Sequence, residues 1–177
     1  MPSVIESLTK NTAIVENDID FFYRAVSAQL ETIGSGEIRI HAAGDFATNN
    51  MEEYAATWKR IVIENPGFMF WTYTKVVKLE NLFDDTENGN IVKSVIDGIG
   101  VNYGHCDYII AAYKKLKAMG ANVYICRCGI DKNQHCENCG HCSKADFVLF
   151  IEHSTSYNAK KDPLYNELKE LIESQGE

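Results

Sequence analysis

Five of the six cysteines fall between Cys126 and Cys142, in the stretch CRCGIDKNQHCENCGHC. A thiolate is a soft, charged ligand that prefers zinc or iron to calcium or magnesium. CENCGHC sets three of them, Cys136, Cys139 and Cys142, at three-residue intervals around a glycine-containing turn. A fourth donor must come from the upstream pair, Cys126 or Cys128, and the spacing does not choose between them. The connecting residues include Gly129, Asp131 and Asn133, a turn composition able to fold both halves onto one tetrahedral ion. Buried structural cysteines are usually scattered, and this loop is too polar to bury five, so a bound metal is expected. Four thiolates with no redox partner in view favour Zn2+. A CxxCxxC triplet with a distant fourth cysteine also suits an iron–sulfur cluster. The spacing is not the CxxxCxxC of radical S-adenosylmethionine enzymes. His135 and His141 read as surface histidines beside the ligands, and the solitary Cys106 as a small buried hydrophobe.

A chain of 177 residues, 45% hydrophobic, can bury one core but is short for two independent domains. The expectation is a single α/β domain over 1–177 with an embedded metal loop at 126–142. The formal charge of −8 gives no broad cationic field, so nonspecific nucleic-acid binding is expected to be weak. There is no run of eighteen apolar residues, and Met1 to Lys10 has neither a basic start nor an apolar core. The chain therefore reads as neither membrane-spanning nor secreted. Cysteines clustered at metal spacing point to a reducing cytoplasm and away from a disulfide framework.

Along the chain, the first sixteen residues show no clear period and read as a loose lead-in. From Ile19 to Ile33 apolar residues recur at helical steps, with Asn17 or Asp18 to cap and Gly34 to stop. EIRIHAAGDF alternates through Ile38 and Ile40 as a short strand ending in a polar turn. NNMEEYAATWKRIVIEN is a helix capped by Asn49 or Asn50 and stopped before Pro66 and Gly67. FMFWTYT is apolar on both faces, as a strand covered on both sides would be. Lys78 to Asn90 reads as a short helix and a loop, and Val95 to Val101 as a strand bent at its glycines. CDYIIAAYKKLKAMG is a helix with Tyr108, Ala112 and Leu116 on one stripe, closed by Gly120. ANVYICRC and DFVLFIEH are strands on either side of the metal loop. The last helix starts with Asp162 as cap and Pro163 in its first turn.

This alternation predicts an α/β fold, a mostly parallel sheet or partial barrel flanked by helices, with the Cys-rich zinc loop inserted. Right-handed crossovers would line the strand ends along one edge, where such folds bind ligands. His41 and Asp45 follow the first strand, Lys75 the second and His153 the last, and these four form a candidate catalytic pocket. Each also has a structural role open to it: a histidine tying down a loop, an aspartate capping a turn, a solvated lysine.

RIHAAGDF, then FWTYTK, then a strand leading into CxC and CENCGHC, then FIEH, resembles the gene-product-88-like family of phage and mobile-element proteins. The resemblance runs from about Phe21 to His153 and rests chiefly on GDF paired with YTK at this separation. It matches His41, Gly44, Asp45, Phe46, Tyr73, Thr74, Lys75 and His153, and the cysteines Cys126, Cys136, Cys139 and Cys142. It implies a shortened barrel similar to those of radical S-adenosylmethionine enzymes, without an established activity. Members of that family commonly carry another cysteine-rich segment ahead of the first helix, which this sequence lacks. The resemblance thus points first to a zinc protein that binds a host protein or nucleic-acid machine, with an enzyme of barrel descent as the alternative.

Overall fold

The computed structural model describes residues 4–41, 45–96, 99–100, 103–127, 130, 139–152 and 157–175. The chain forms two compact units, Met1–Ile91 and Val92–Glu177.

The first unit opens with two helices, α1 (Val4–Asn17) and α2 (Ile19–Ile33). The supposed lead-in is therefore a helix, and its end is anchored by Val15, buried in the core. Asp18 breaks the two apart. Its carboxylate accepts the Phe21 N–H at 2.8 Å and so takes up an orphan donor of α2. Gly34, at φ 88°, ends α2 by donating its N–H to Leu30.

The chain then runs through β1 (Gly36–Arg39), α3 (Met51–Glu64) and β2 (Phe68–Thr74). β1 and β2 are parallel, Gly36 opposite Phe68 and Arg39 opposite Trp71. The sheet order is β1-β2-β3, with β3 at Gly89–Lys93. As its composition predicts, β2 is the central strand: Phe68, Phe70, Trp71, Thr72 and Thr74 are all buried. Phe68 and Phe70 pack with Trp58, Ile61 and Val62 of α3 and Leu30 of α2. Removing one such phenylalanine from water contributes about 1.5–3 kcal/mol. Between β2 and β3 the predicted short helix is a 3-10 turn at Val77–Leu79, and Phe83 in the turns beyond it is buried.

Asn88 closes the joint between α3 and β2. Its side-chain amide reaches the carbonyls of Val62, Asn65 and Phe68, while its own carbonyl accepts the Phe70 N–H. One asparagine thus satisfies the helix end and the strand start together.

In the second unit, Val95 to Val101 is not one strand. β4 (Val95–Ile96) and β5 (Ile99–Gly100) pair antiparallel, Val95 opposite Gly100 and Ile96 opposite Ile99. A three-stranded parallel sheet follows in the order β6-β8-β7, from β6 (Tyr103–Gly104), β7 (Val123–Ile125) and β8 (Phe147–Ile151). α4 (Cys106–Ala118) and α5 (Tyr165–Glu173) pack with this sheet. The buried stripe of α4 is Cys106, Ile109, Ile110 and Leu116; Tyr108 lies outside it, 37% exposed. α5 starts at Tyr165, later than Asp162 and Pro163. Asp162 nevertheless prepares its first turn by accepting the Leu164 N–H at 2.9 Å. The C-terminus reaches back to the edge strand, where Gln175 accepts the Ile125 N–H at 2.6 Å.

The architecture is mixed α/β with parallel sheets and helices, and the described strands form no closed barrel. No helix among the described residues is long and apolar enough to cross a membrane.

Candidate functional site

The residues at the end of β1 meet β2 side by side. Thr72 and Thr74, two apart and on one face of β2, receive His41 and Asp45 respectively. Nδ1 of His41 lies 3.1 Å from the Thr72 hydroxyl, and Nε2 lies 3.0 Å from the Tyr54 hydroxyl on α3. The Thr72 hydroxyl also donates to the Tyr73 carbonyl at 3.3 Å. Phe46 meets the imidazole edge-on at 4.8 Å. Burial pushes the His41 pKa down, against the nearby negative Asp45 and with the help of Arg39. Burial thus favours the neutral ring. Burial likewise pushes the Tyr54 pKa up and keeps its proton in place.

Both oxygens of Asp45 accept hydrogen bonds. Oδ1 accepts the Phe46 N–H at 2.7 Å and the Thr74 hydroxyl at 2.8 Å; Oδ2 accepts the Lys75 N–H at 2.7 Å. Lys75 enters this arrangement through its backbone, and its residue surface is exposed. His153, the fourth member expected in the pocket, lies outside the described residues, as does Gly44. His41 and Asp45 are therefore neighbours, but what they grip is the end of β2.

The second candidate lies where β7 ends. Cys126 follows β7 directly, is buried, and donates its N–H to Leu149 of β8 at 2.8 Å. Tyr124, two residues earlier, is also buried. Its hydroxyl lies 3.9 Å from the Cys139 sulfur, and its ring stacks on His141 at 3.8 Å with the planes 17° apart. Burial raises the Tyr124 pKa far above the phenol range; negative charge at Cys139 and Cys126 pushes in the same direction. The Cys139 sulfur is thus brought beside a phenol that stands two residues before Cys126 in the chain. Burial, Arg127 and Lys144 together lower the His141 pKa.

Local hydrogen bonds hold the turn that delivers Cys139. Gly140 sits at φ 61°, a left-handed conformation that costs a glycine little. Ser143 donates to the Gly140 carbonyl at 2.8 Å, and Ala145 N–H donates to His141. Cys142 belongs to the same turn and is half-buried. None of Cys106, Cys126, Cys139 and Cys142 is in a disulfide. Cys128 and Cys136 lie outside the described residues. Among the described residues no three His, Cys, Asp or Glu side chains are grouped to hold a metal ion.

A third polar cluster was not anticipated from sequence. Cys106, fully buried at the start of α4, donates its N–H to the Tyr157 hydroxyl at 2.9 Å, and its sulfur lies 3.0 Å from the same oxygen. Tyr157 also donates to Asp162 at 2.8 Å and stacks on His105 at 4.0 Å, and His105 pairs with Glu152 at 3.1 Å. Burial raises the Cys106 pKa, which keeps this thiol protonated and inert. Tyr124 and Tyr157 escaped sequence reasoning for one reason: each is a polar-tipped aromatic whose partner is distant in the chain. A tyrosine inside the otherwise aliphatic run ANVYIC was the available signal, since a buried hydroxyl requires a partner.

No curated protein and no solved structure matches the chain. Residues 1–145, which include the GDF and YTK segments and the cysteine stretch, match the family described as gene product 88, and the chain belongs to that family.

Proposed function

We propose that this is a zinc-binding protein of phage or mobile-element type that acts by binding, with Cys136, Cys139, Cys142 and one of Cys126 and Cys128 as ligands. The observation that carries the reading is the 3.9 Å approach of the Cys139 sulfur to the hydroxyl of buried Tyr124, two residues before Cys126 in the chain. This contact brings Cys139 beside β7, the strand that leads directly into Cys126. Soft thiolates on a glycine-containing turn fit zinc well. When bound, the ion would supply folding free energy to the 126–142 loop, fixing it against the carboxyl ends of β7 and β8. The chain's own part is to hold the turn with Gly140 and Ser143 and to pack the His141 ring of that turn on Tyr124.

Binding is favoured over catalysis by the condition of the other candidate residues. Both nitrogens of His41 and both oxygens of Asp45 contact protein groups, which gives these side chains an anchoring role at the end of β2. The partner class we favour is a host protein or nucleic-acid-processing complex, because a net charge of −8 disfavours direct nonspecific contact with phosphates.

Elemental analysis of protein purified anaerobically, with a visible spectrum on the same sample, tests the metal. Zinc at about one per chain and no colour is the expected result. Iron with sulfide and a brown chromophore would replace zinc with a cluster, and protein free of both would end the reading. Cys139→Ser should then lose the metal and melt at a markedly lower temperature.

A further inference from the structure

We propose that Tyr124 is a positioning residue for the thiolate centre, its hydroxyl donating to the Cys139 sulfur when that sulfur serves as a metal ligand. This rests on the metal-binding reading above. Tyr124 stands between Val123 and Ile125 on a strand whose three residues are all buried. A phenol hydroxyl in such a place costs free energy unless it finds a partner. The partner at hand is the Cys139 sulfur, whose thiol donates to the Tyr124 hydroxyl at 3.9 Å, a long separation for a bond to sulfur; once that sulfur is a thiolate, only the hydroxyl can donate. A neutral thiol is a weak acceptor, whereas a thiolate is a strong one, and a charge-assisted bond is shorter and about twice as strong. Tyrosine at this position is therefore matched to a charged sulfur.

The ring is held for that purpose. His141 stacks on it at 3.8 Å and belongs to the same turn as Cys139. The hydroxyl and the sulfur thus approach each other on supports that are themselves packed together. A donor to a ligating thiolate draws charge from the sulfur and fixes its direction, as outer-shell partners of metal ligands do.

The test uses the full chain with Co2+ as the probe, comparing the wild type with Tyr124→Phe. Tyr103→Phe, at a tyrosine 53% exposed, serves as control. Wild type and control should share one thiolate-to-cobalt charge-transfer band. In Tyr124→Phe that band should move to lower energy, because an undamped thiolate gives up an electron more easily. Cobalt affinity should fall about 10- to 100-fold. A phenylalanine that merely repacks the strand would move the melting temperature but not the band. An unchanged band and affinity in Tyr124→Phe would overturn the proposal and leave the metal site standing. Absence of any such band in the wild type would instead remove the metal reading itself, and this proposal with it.

Discussion

The Thr74 hydroxyl donates to the Asp45 carboxylate at 2.8 Å, across 29 residues of chain. With the Lys75 N–H on the other oxygen, the bond fastens the end of β2 to the segment that leaves β1. The GDF and YTK segments are thus two halves of one clamp.

Asp45→Ala should therefore act on stability. It strips the acceptor from Thr74, which is 3% exposed, and from two backbone N–H groups. A hydrogen bond to a charged group is worth about 1.5–3 kcal/mol, so a loss of at least that order is expected in urea unfolding. Asp45→Asn keeps one acceptor oxygen and should lose less. Equal stability for all three proteins would show that the clamp carries no load.

His41 gives the first unit a pH dependence with a definite sign. Its folded pKa is depressed by burial below the ordinary 6.5, so the unfolded chain takes up a proton first as pH falls. Its contribution to stability is complete above about 6.5 and is lost progressively as pH drops through that value toward the lower folded pKa. Chemical denaturation at pH 7.5 and pH 5.5 should show the weaker fold at the lower pH. His41→Gln should flatten the difference, and a slope identical to wild type would assign it elsewhere.

How much of this was readable beforehand depended on whether the partner lay nearby in sequence. Helices α2 and α3, the buried strand β2 and the stop at Gly34 follow from local period and local turn chemistry, and the structure has them. The α/β class follows from their alternation. α1 was missed because few of its apolar positions mark a stripe, and its anchor Val15 packs against a core built much later in the chain. The hairpin β4–β5 was hidden because its strands are two residues each, too short for an alternation to register. At the site, His41 and Asp45 could be picked out as polar residues ending a strand. That they grip Thr72 and Thr74 could not, since this depends on the register of β1 against β2.

Gly89 is a glycine for reasons of space. A Cβ built there would stand 2.7 Å from the Thr86 hydroxyl and 2.8 Å from the ring of Phe83. Phe83 is 2% exposed and has nowhere to move. Gly89→Ala should cost about 1–3 kcal/mol by overpacking. Gly67→Ala is the comparison, since its nearest contact is an ordinary 3.4 Å and it should be nearly neutral. Thermal melts of the two variants in parallel would settle whether the turn before β3 is packed this tightly.

Tyr157 should prove the most sensitive tyrosine of the second unit. One oxygen there accepts the Cys106 N–H, contacts the Cys106 sulfur and donates to Asp162, joining the start of α4 to the approach to α5. Tyr157→Phe removes that oxygen and keeps the ring that stacks on His105. The Cys106 N–H, attached to a residue with no exposed surface, then loses its acceptor, a penalty of about 1–3 kcal/mol. Local opening at the start of α4 should become easier, so hydrogen exchange at Cys106 and Asp107 should speed up more than at Leu116 near the far end of the helix. Uniform acceleration along α4 would mean that the variant loosens the whole unit. Unchanged exchange at Cys106 would mean that another group satisfies its N–H.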